Sequence, residues 1–371
     1  MEIHLDTMRK SEQIAFELRD IYEQYGYRKF RMAKFEEYDF YQANRDFVGS
    51  GQILAFTGIN GKLMALKPDV TMSIVKNTRA TLEAPEKAYY TESVYRASLE
   101  AGEFREITQI GVEFIGEVTL YTQSELVSLA LKSLACLDKN YILDISHMGM
   151  LTGLLNELAL PGGGKRAILS CVEKKNQHEL AALIESFGIN GACKPALLKL
   201  AALCGPLKSS LKELEPFVLN EQMREAFNEL CALSSIFEDV SALRLDFSIT
   251  GASHYYNGLM LRGYIASLPR ALLVGGRYDP LLKRMGKPEL QAMGYAIHFD
   301  EIERYLTPPV AFEYDAVVLY DEKTDPALTH KIVEALVSLG NRVYAGKTKP
   351  PRAERAKVYD ASEKTLREVL P

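Results

Sequence analysis

The sequence has no paired-cysteine motif, no apolar run long enough for a membrane span and no surplus of basic charge. Its five cysteines, Cys136, Cys171, Cys193, Cys204 and Cys231, are scattered without a CxxC pair. An odd, unpatterned set in a chain this long argues against a disulfide framework and for buried thiols in a reducing compartment. The six histidines lie far apart and lack HExxH or CxxC companions, so no metal site and no cofactor is expected. No stretch reaches the roughly 18 apolar residues of a transmembrane helix. The start, Met1-Glu2-Ile3-His4-Leu5-Asp6, lacks the basic and apolar segments of a secretory signal. A cytoplasmic protein without membrane contact is expected. A formal net charge of −5 argues against a nucleic-acid surface, which needs clustered Lys and Arg. The one basic cluster, Lys347, Lys349, Arg352, Arg355 and Lys357, falls in a Pro-Pro loop and reads as solvated.

What is present is a globular chain of 371 residues, 47% hydrophobic and 25% charged, long enough for two or three domains. Ile14, Leu18, Ile21, Tyr22 and Tyr25 mark one face of a helix from about residue 7 to 25, with Gly26 as its stop. Asn60-Gly61 between 53–57 and 62–66 predicts a tight hairpin. Strands are expected at 87–96, 105–115 and 141–145, with a helix over 123–137. Residues 1–148 thus read as an α+β antiparallel sheet with flanking helices. From 149 to 239 the chain turns rich in Leu, Ala, Glu and Lys without a clear strand, a helical insertion. Strand character returns at 243–249, 255–265, 271–274 and 292–297, so 240–308 completes the sheet. Pro308-Pro309 marks a boundary, and 309–371 reads as a small C-terminal α/β module with strands at 316–320, 342–345 and 357–360.

The segment Phe104-Arg105-Glu106-Ile107-Thr108-Gln109-Ile110-Gly111-Val112-Glu113-Phe114-Ile115-Gly116 carries the clearest chemical signal. With a strand period of two, Ile110, Val112 and Phe114 share a core face, and Arg105, Gln109, Gly111 and Glu113 share the other. Glycine between an amide and a carboxylate leaves room for a ligand to approach the sheet. Gln109 and Glu113 suit a cationic amine, and Arg96 on the preceding strand suits an anion. A solvated face with paired charges fits the same residues equally well.

Val94-Tyr95-Arg96 followed by Phe104 to Gly116 resembles motif 2 of the class II aminoacyl-tRNA synthetases, specifically the histidine enzyme. Leu66-Lys67-Pro68-Asp69-Val70-Thr71 is similar to that family's segment beside the bound histidine. His254-Tyr255-Tyr256-Asn257-Gly258 resembles its paired-tyrosine strand. Val274-Gly275-Gly276-Arg277-Tyr278-Asp279 resembles the glycine-rich stretch before motif 3, and Met293-Gly294-Tyr295-Ala296-Ile297 resembles motif 3 itself. The five blocks keep the family's order.

Departures from that pattern bear on function. Where the synthetases carry a glycine and an ATP-binding arginine after motif 3, this chain has His298 and Glu301. Where they carry an arginine before the tyrosines, it has Gly251, and the motif 1 proline is Ala33. A carboxylate in place of a guanidinium repels triphosphate. The combination resembles the non-catalytic regulatory subunits of ATP phosphoribosyltransferase in histidine biosynthesis. That resemblance implies no catalysis and no tRNA, a homodimer within a hetero-oligomer with a short-form ATP phosphoribosyltransferase catalytic subunit, and histidine as effector. It implies a histidine site at Asp69, Thr71, Arg96, Gln109, Glu113, Tyr255 and Tyr256, with Asp69 one methylene shorter than the family's glutamate. A divergent histidyl-tRNA synthetase and an orphan histidine-sensing paralogue are the rival readings.

Two lookalikes carry little. Asp246-Phe247-Ser248-Ile249-Thr250-Gly251 lacks the paired acids of a phosphoribosyl-pyrophosphate loop. Gly162-Gly163-Gly164-Lys165 lacks the spacing and the preceding strand of a P-loop and reads as a turn.

Overall fold

The computed structural model describes residues 9–48, 53–98, 103–158, 160–237, 241–250, 255–305, 314–351 and 353–369. The chain divides into two compact units, residues 1–307 and 308–371.

The first unit is built on a nine-stranded sheet. In spatial order its strands are Arg28–Lys29, Glu86–Ser98, Glu103–Gly116, Gln291–His298, Leu273–Arg277, Leu259–Ile265, Tyr141–His147, Leu243–Asp246 and Cys204–Pro206. The expected antiparallel sheet is present, with two parallel junctions, Arg28–Lys29 on Ala88–Tyr89 and Leu143–Ile145 on Leu243–Leu245. The long hairpin of Glu86–Ser98 and Glu103–Gly116 supplies the centre of the site. Its partners across the next junction include Glu113 with Gly294 and Gln109 with His298.

One face of the sheet is covered by two helices. Lys10–Gln24 buries Ser11, Ile14, Leu18 and Tyr22, and Gly26 ends it at φ +80°, where a side chain would be strained. Leu120–Leu137 is capped by Thr119, whose Oγ1 accepts from Thr122 N at 3.2 Å. Ile110, Val112 and Phe114 are buried in this core, as the strand period requires. The opposite face carries Tyr41, Val70, Met72, Ile74, Val75, Tyr90, Tyr278, Leu281 and Leu282 in a second apolar cluster. Between the two clusters the sheet is buried on both sides.

The Asn60-Gly61 hairpin forms with a wider turn than a two-residue loop. Thr57 pairs with Leu63, Gly58 N donates to Lys62 O at 2.8 Å, and Gly61 takes φ +78°. Two sequence readings of the insertion are corrected. Besides its helices, Met148–Glu157 through Glu221–Ile236, it contributes Cys204–Pro206 as the outermost strand, paired with Leu243–Asp246. Three residues holding Gly205 and Pro206 give no periodic signal. Gly162–Lys165 is the first turn of helix Gly162–Glu173, not a free turn, because Pro161 sits at its N-cap with extended dihedrals. Asp246 of the phosphoribosyl lookalike is 4% exposed and ion-paired to Lys175 at 2.5 Å, a structural anchor.

The second unit has three parallel strands in the order Val343–Gly346, Ala316–Leu319, Lys357–Asp360, with helices Pro326–Ser338 and Glu363–Val369. Asp325 caps the longer helix through Ala327 N at 3.0 Å, and Gly340 ends it at φ +85°. In the basic cluster Lys347 pairs with Glu322 at 3.0 Å, both exposed, and Lys357 lies over the Tyr359 ring; Arg352 lies outside the described residues. Among the described residues no helix is long and apolar enough to cross a membrane.

Candidate functional site

Asp69, Thr71, Arg96, Gln109, Glu113, Tyr255 and Tyr256 all line one cavity of about 130 Å³ on the second face of the sheet. At roughly 10–15 Å³ per water-sized group, that is room for a molecule of amino-acid size. Arg105, placed by periodicity on the same strand face, lies outside the lining: it is exposed, opposite Arg96 near the end of the hairpin.

Glu113 lies at the floor, 3% exposed. Thr71 Oγ1 donates to its Oε1 at 2.7 Å and Tyr278 Oη donates to its Oε2 at 2.7 Å. Burial pushes the carboxyl up to about 8; the two hydroxyls pull the other way and the Asp69 charge adds to the rise. Asp69 is also raised, by burial first, against the opposing charge of Arg96. Its Oδ1 accepts from Met72 N at 2.8 Å at the start of helix Thr71–Asn77. Arg96 donates from Nε to Pro68 O at 2.8 Å and stands 3.8 Å from Asp69 Oδ2. Behind this segment Lys67, 1% exposed, is ion-paired to Glu92.

The glycines serve the site differently from the sequence expectation. A Cβ on Gly111 would lie 2.5 Å from Tyr90 Oη, so the space there belongs to Tyr90 and not to a ligand; Tyr90 is its cross-strand partner. Gly275 fits against Gly294 O in the same way, at 2.2 Å for a Cβ.

Tyr255 and Tyr256 stand on a turn, and the strand expected from residue 255 begins at Leu259. Asn257 and Asp279 fasten this turn: Asn257 Nδ2 donates to Asp279 Oδ2 at 2.9 Å and Asp279 N donates to Asn257 Oδ1 at 3.1 Å. The Tyr255 ring lies 4.6 Å from that of Tyr256 and 5.9 Å from that of Tyr278. Gly251 and His254 lie outside the described residues.

His298 lines the cavity beside Gln109. Burial first, then the charges of Arg96 and Arg270, hold its imidazole below the ordinary range, with Glu301 opposing. Glu301 is 8% exposed and pairs with Arg270 at 3.2 Å. Sequence reasoning gave no role to Tyr90 or Tyr278, although Tyr278 stood inside a quoted motif. The signal for Tyr278 was its place two residues after the glycine pair. For Tyr90 it was the alignment with Gly111, which needs the strand register.

One cavity on this sheet thus gathers a buried carboxyl, an acid beside a guanidinium, and a pair of tyrosines. Residues 2–302 match the family model described as histidyl-tRNA synthetase, and the chain belongs to that family. Its fold is the α+β class II synthetase-like one. Within the family, an ATP phosphoribosyltransferase regulatory subunit of Oceanobacillus iheyensis is 25% identical over 327 residues, covering 85% of this chain and 79% of that protein. A histidine–tRNA ligase of Methanocaldococcus jannaschii is also 25% identical, over 332 residues, covering 88% and 79%. Among solved structures, an ATP phosphoribosyltransferase regulatory subunit/histidyl-tRNA synthetase of Bacillus halodurans aligns with TM-score 0.77 at 21% identity, covering 95% and 93%. An ATP phosphoribosyl transferase (HisG:HisZ) complex of Thermotoga maritima aligns with TM-score 0.61 at 19% identity, covering 77% and 96%.

Proposed function

We propose that this chain is the regulatory subunit of an ATP phosphoribosyltransferase in histidine biosynthesis, required by a short-form catalytic subunit and responsive to free histidine. It acts as a homodimer within that hetero-oligomer, binds no tRNA and catalyses nothing alone. The observation that carries the reading is a pocket intact for an amino acid beside a nucleotide side in which Glu301, at the position of the family's arginine, is engaged with Arg270. The regulatory-subunit names among its relatives support the same conclusion.

Charge and depth suggest how histidine lies. Asp69 beside Arg96 complements an α-amine next to an α-carboxylate, with charge-assisted bonds to both. Glu113, deeper and held by Thr71 and Tyr278, faces the imidazole, and Tyr255 and Tyr256 flank it. This moves Glu113 from the amine, its expected partner, to the ring.

The synthetase reading is favoured by the ligase among the relatives and separated by one assay. The purified chain, given histidine, ATP and labelled pyrophosphate, should catalyse no exchange, while histidine alone gives a binding heat by calorimetry. Exchange at a synthetase-like rate overturns the proposal. So does failure of the chain to raise the activity of the short catalytic subunit.

A further inference from the structure

Glu229 lies on Glu221–Ile236, the last helix of the insertion, and is not part of the cavity lining. Its Oε2 stands 2.5 Å from His147 Nε2, and its Oε1 accepts from Gln123 Nε2 at 2.5 Å. His147 Nδ1 already accepts from Gly149 N at 3.0 Å, which leaves the ring proton on Nε2, directed at Glu229. Burial alone would raise this carboxyl; the bonds from His147 and Gln123 and the charge of Arg277 hold it below its ordinary range.

Arg277 Nη1 lies 4.0 Å from Glu229 Oε1, and its Nε donates to Asp279 Oδ2 at 2.8 Å. Asp279 is the residue that grips Asn257. Asn257 N donates to Arg277 O at 3.1 Å, and a Cβ on Gly258 would lie 2.9 Å from Arg277 Cδ. So the residues directly after Tyr255-Tyr256 rest on the Arg277 side chain, and Tyr278 follows it in the chain. The guanidinium has two anionic neighbours, Asp279 at the start of helix Asp279–Arg284 and Glu229 in the insertion.

We propose that Glu229 is a positioning residue for the ligand pocket: through Arg277 it sets the Tyr255–Tyr256 turn, and so links the helical insertion to ligand affinity. The link rests on the reading that the pocket takes histidine. Linkage is reciprocal, so a partner that shifts the last helix of the insertion shifts histidine affinity, and histidine shifts that partner's binding by the same factor.

The test uses the full chain as wild type, Glu229→Gln, Arg277→Gln and the double variant, with Arg277→Lys replacing a variant that does not fold. Two readouts are taken, histidine affinity by calorimetry and the near-ultraviolet circular dichroism of the unliganded protein. With 20 tyrosines and no tryptophan, that signal reports tyrosine packing. Glu229→Gln should weaken histidine about tenfold and Arg277→Gln at least as much, since it also loses Asp279, with the double no worse than Arg277→Gln because Glu229 acts only through Arg277. Both singles should change the tyrosine signal in the same direction, Arg277→Gln the more, with the thermal midpoint of Glu229→Gln nearly unchanged. Wild-type affinity and an unaltered tyrosine signal in Glu229→Gln overturn the proposal, as do single effects that multiply in the double. Absence of histidine binding by the wild type overturns the functional reading instead, and the tyrosine signal then decides the positioning role.

Discussion

Gly294 faces Glu113 across the strand pair so closely that a Cβ on Gly294 would lie 1.8 Å from Glu113 Oε2. The carboxylate occupies the volume of the missing side chain. Val112 O would stand 2.4 Å from the same Cβ, so backbone as well as side chain opposes any substitution. Gly294→Ala should therefore abolish histidine binding in calorimetry and cost about 1–3 kcal/mol of stability or more, the scale of core overpacking. An alanine variant that binds histidine normally would place the ligand away from Glu113.

Proton linkage separates two orientations of the ligand. Burial pushes the Glu113 carboxyl up to about 8, which favours its protonated form at pH 7. If it meets the imidazole, its proton is kept and shared within the pair. Histidine affinity then stays level from about pH 6.5 to 8, with no net proton exchange, and falls as pH rises above 8. If it meets the ammonium group, it must ionise, and affinity rises about tenfold per pH unit toward 8 with release of one proton. Calorimetry in buffers of different ionisation heat measures the proton count. We expect none released at pH 7.

Glu113→Gln should trade affinity for stability. The carboxyl is raised in the folded state from 4.5 to about 8, so the folded protein holds a proton that the unfolded chain has lost between those values. Stability from this group is present below about pH 4.5 and is lost as pH rises toward 8, at up to about 1.4 kcal/mol per pH unit. The glutamine variant escapes that loss. Its thermal midpoint should exceed wild type at pH 8 and match it near pH 4.5, while histidine binding weakens tens-fold and assembly with the catalytic subunit persists. Wild-type histidine sensitivity in the reconstituted complex would show that regulation does not pass through Glu113.

Histidinol should bind more weakly than histidine. It lacks the carboxylate that Arg96 is placed to meet, and a hydrogen bond to a charged group contributes about 1.5–3 kcal/mol. Equal dissociation constants would mean that the carboxylate goes unread. Arg96→Met should bring the two ligands together by weakening histidine alone.

Part of the site was legible because Gln109 and Glu113 lie on one strand. The period of two in 105–115 separates Ile110, Val112 and Phe114 from Gln109 and Glu113 without any knowledge of partners. What stayed hidden depends on pairing over long separations. Tyr90 meets Gly111 and Gly294 meets Glu113 only once register is set, and neither residue's own neighbours in sequence reveal it. Both parallel junctions likewise join segments tens of residues apart or more. The turn at Tyr255-Tyr256 read as strand because two aromatics suit a pleated surface; the side-chain pair Asn257–Asp279 decides otherwise.

The outermost strand, Cys204–Pro206, belongs by sequence to the helical block yet finishes the sheet. That makes the block impossible to graft or excise as a cassette. A chain from which it was cut would leave the backbone edge of Leu243–Asp246 unpaired, an invitation to intermolecular β-pairing. The strand that covers this edge is itself a poor template, being three residues long and ending in a proline that has no N–H to offer. The helical block thus doubles as a guard on solubility.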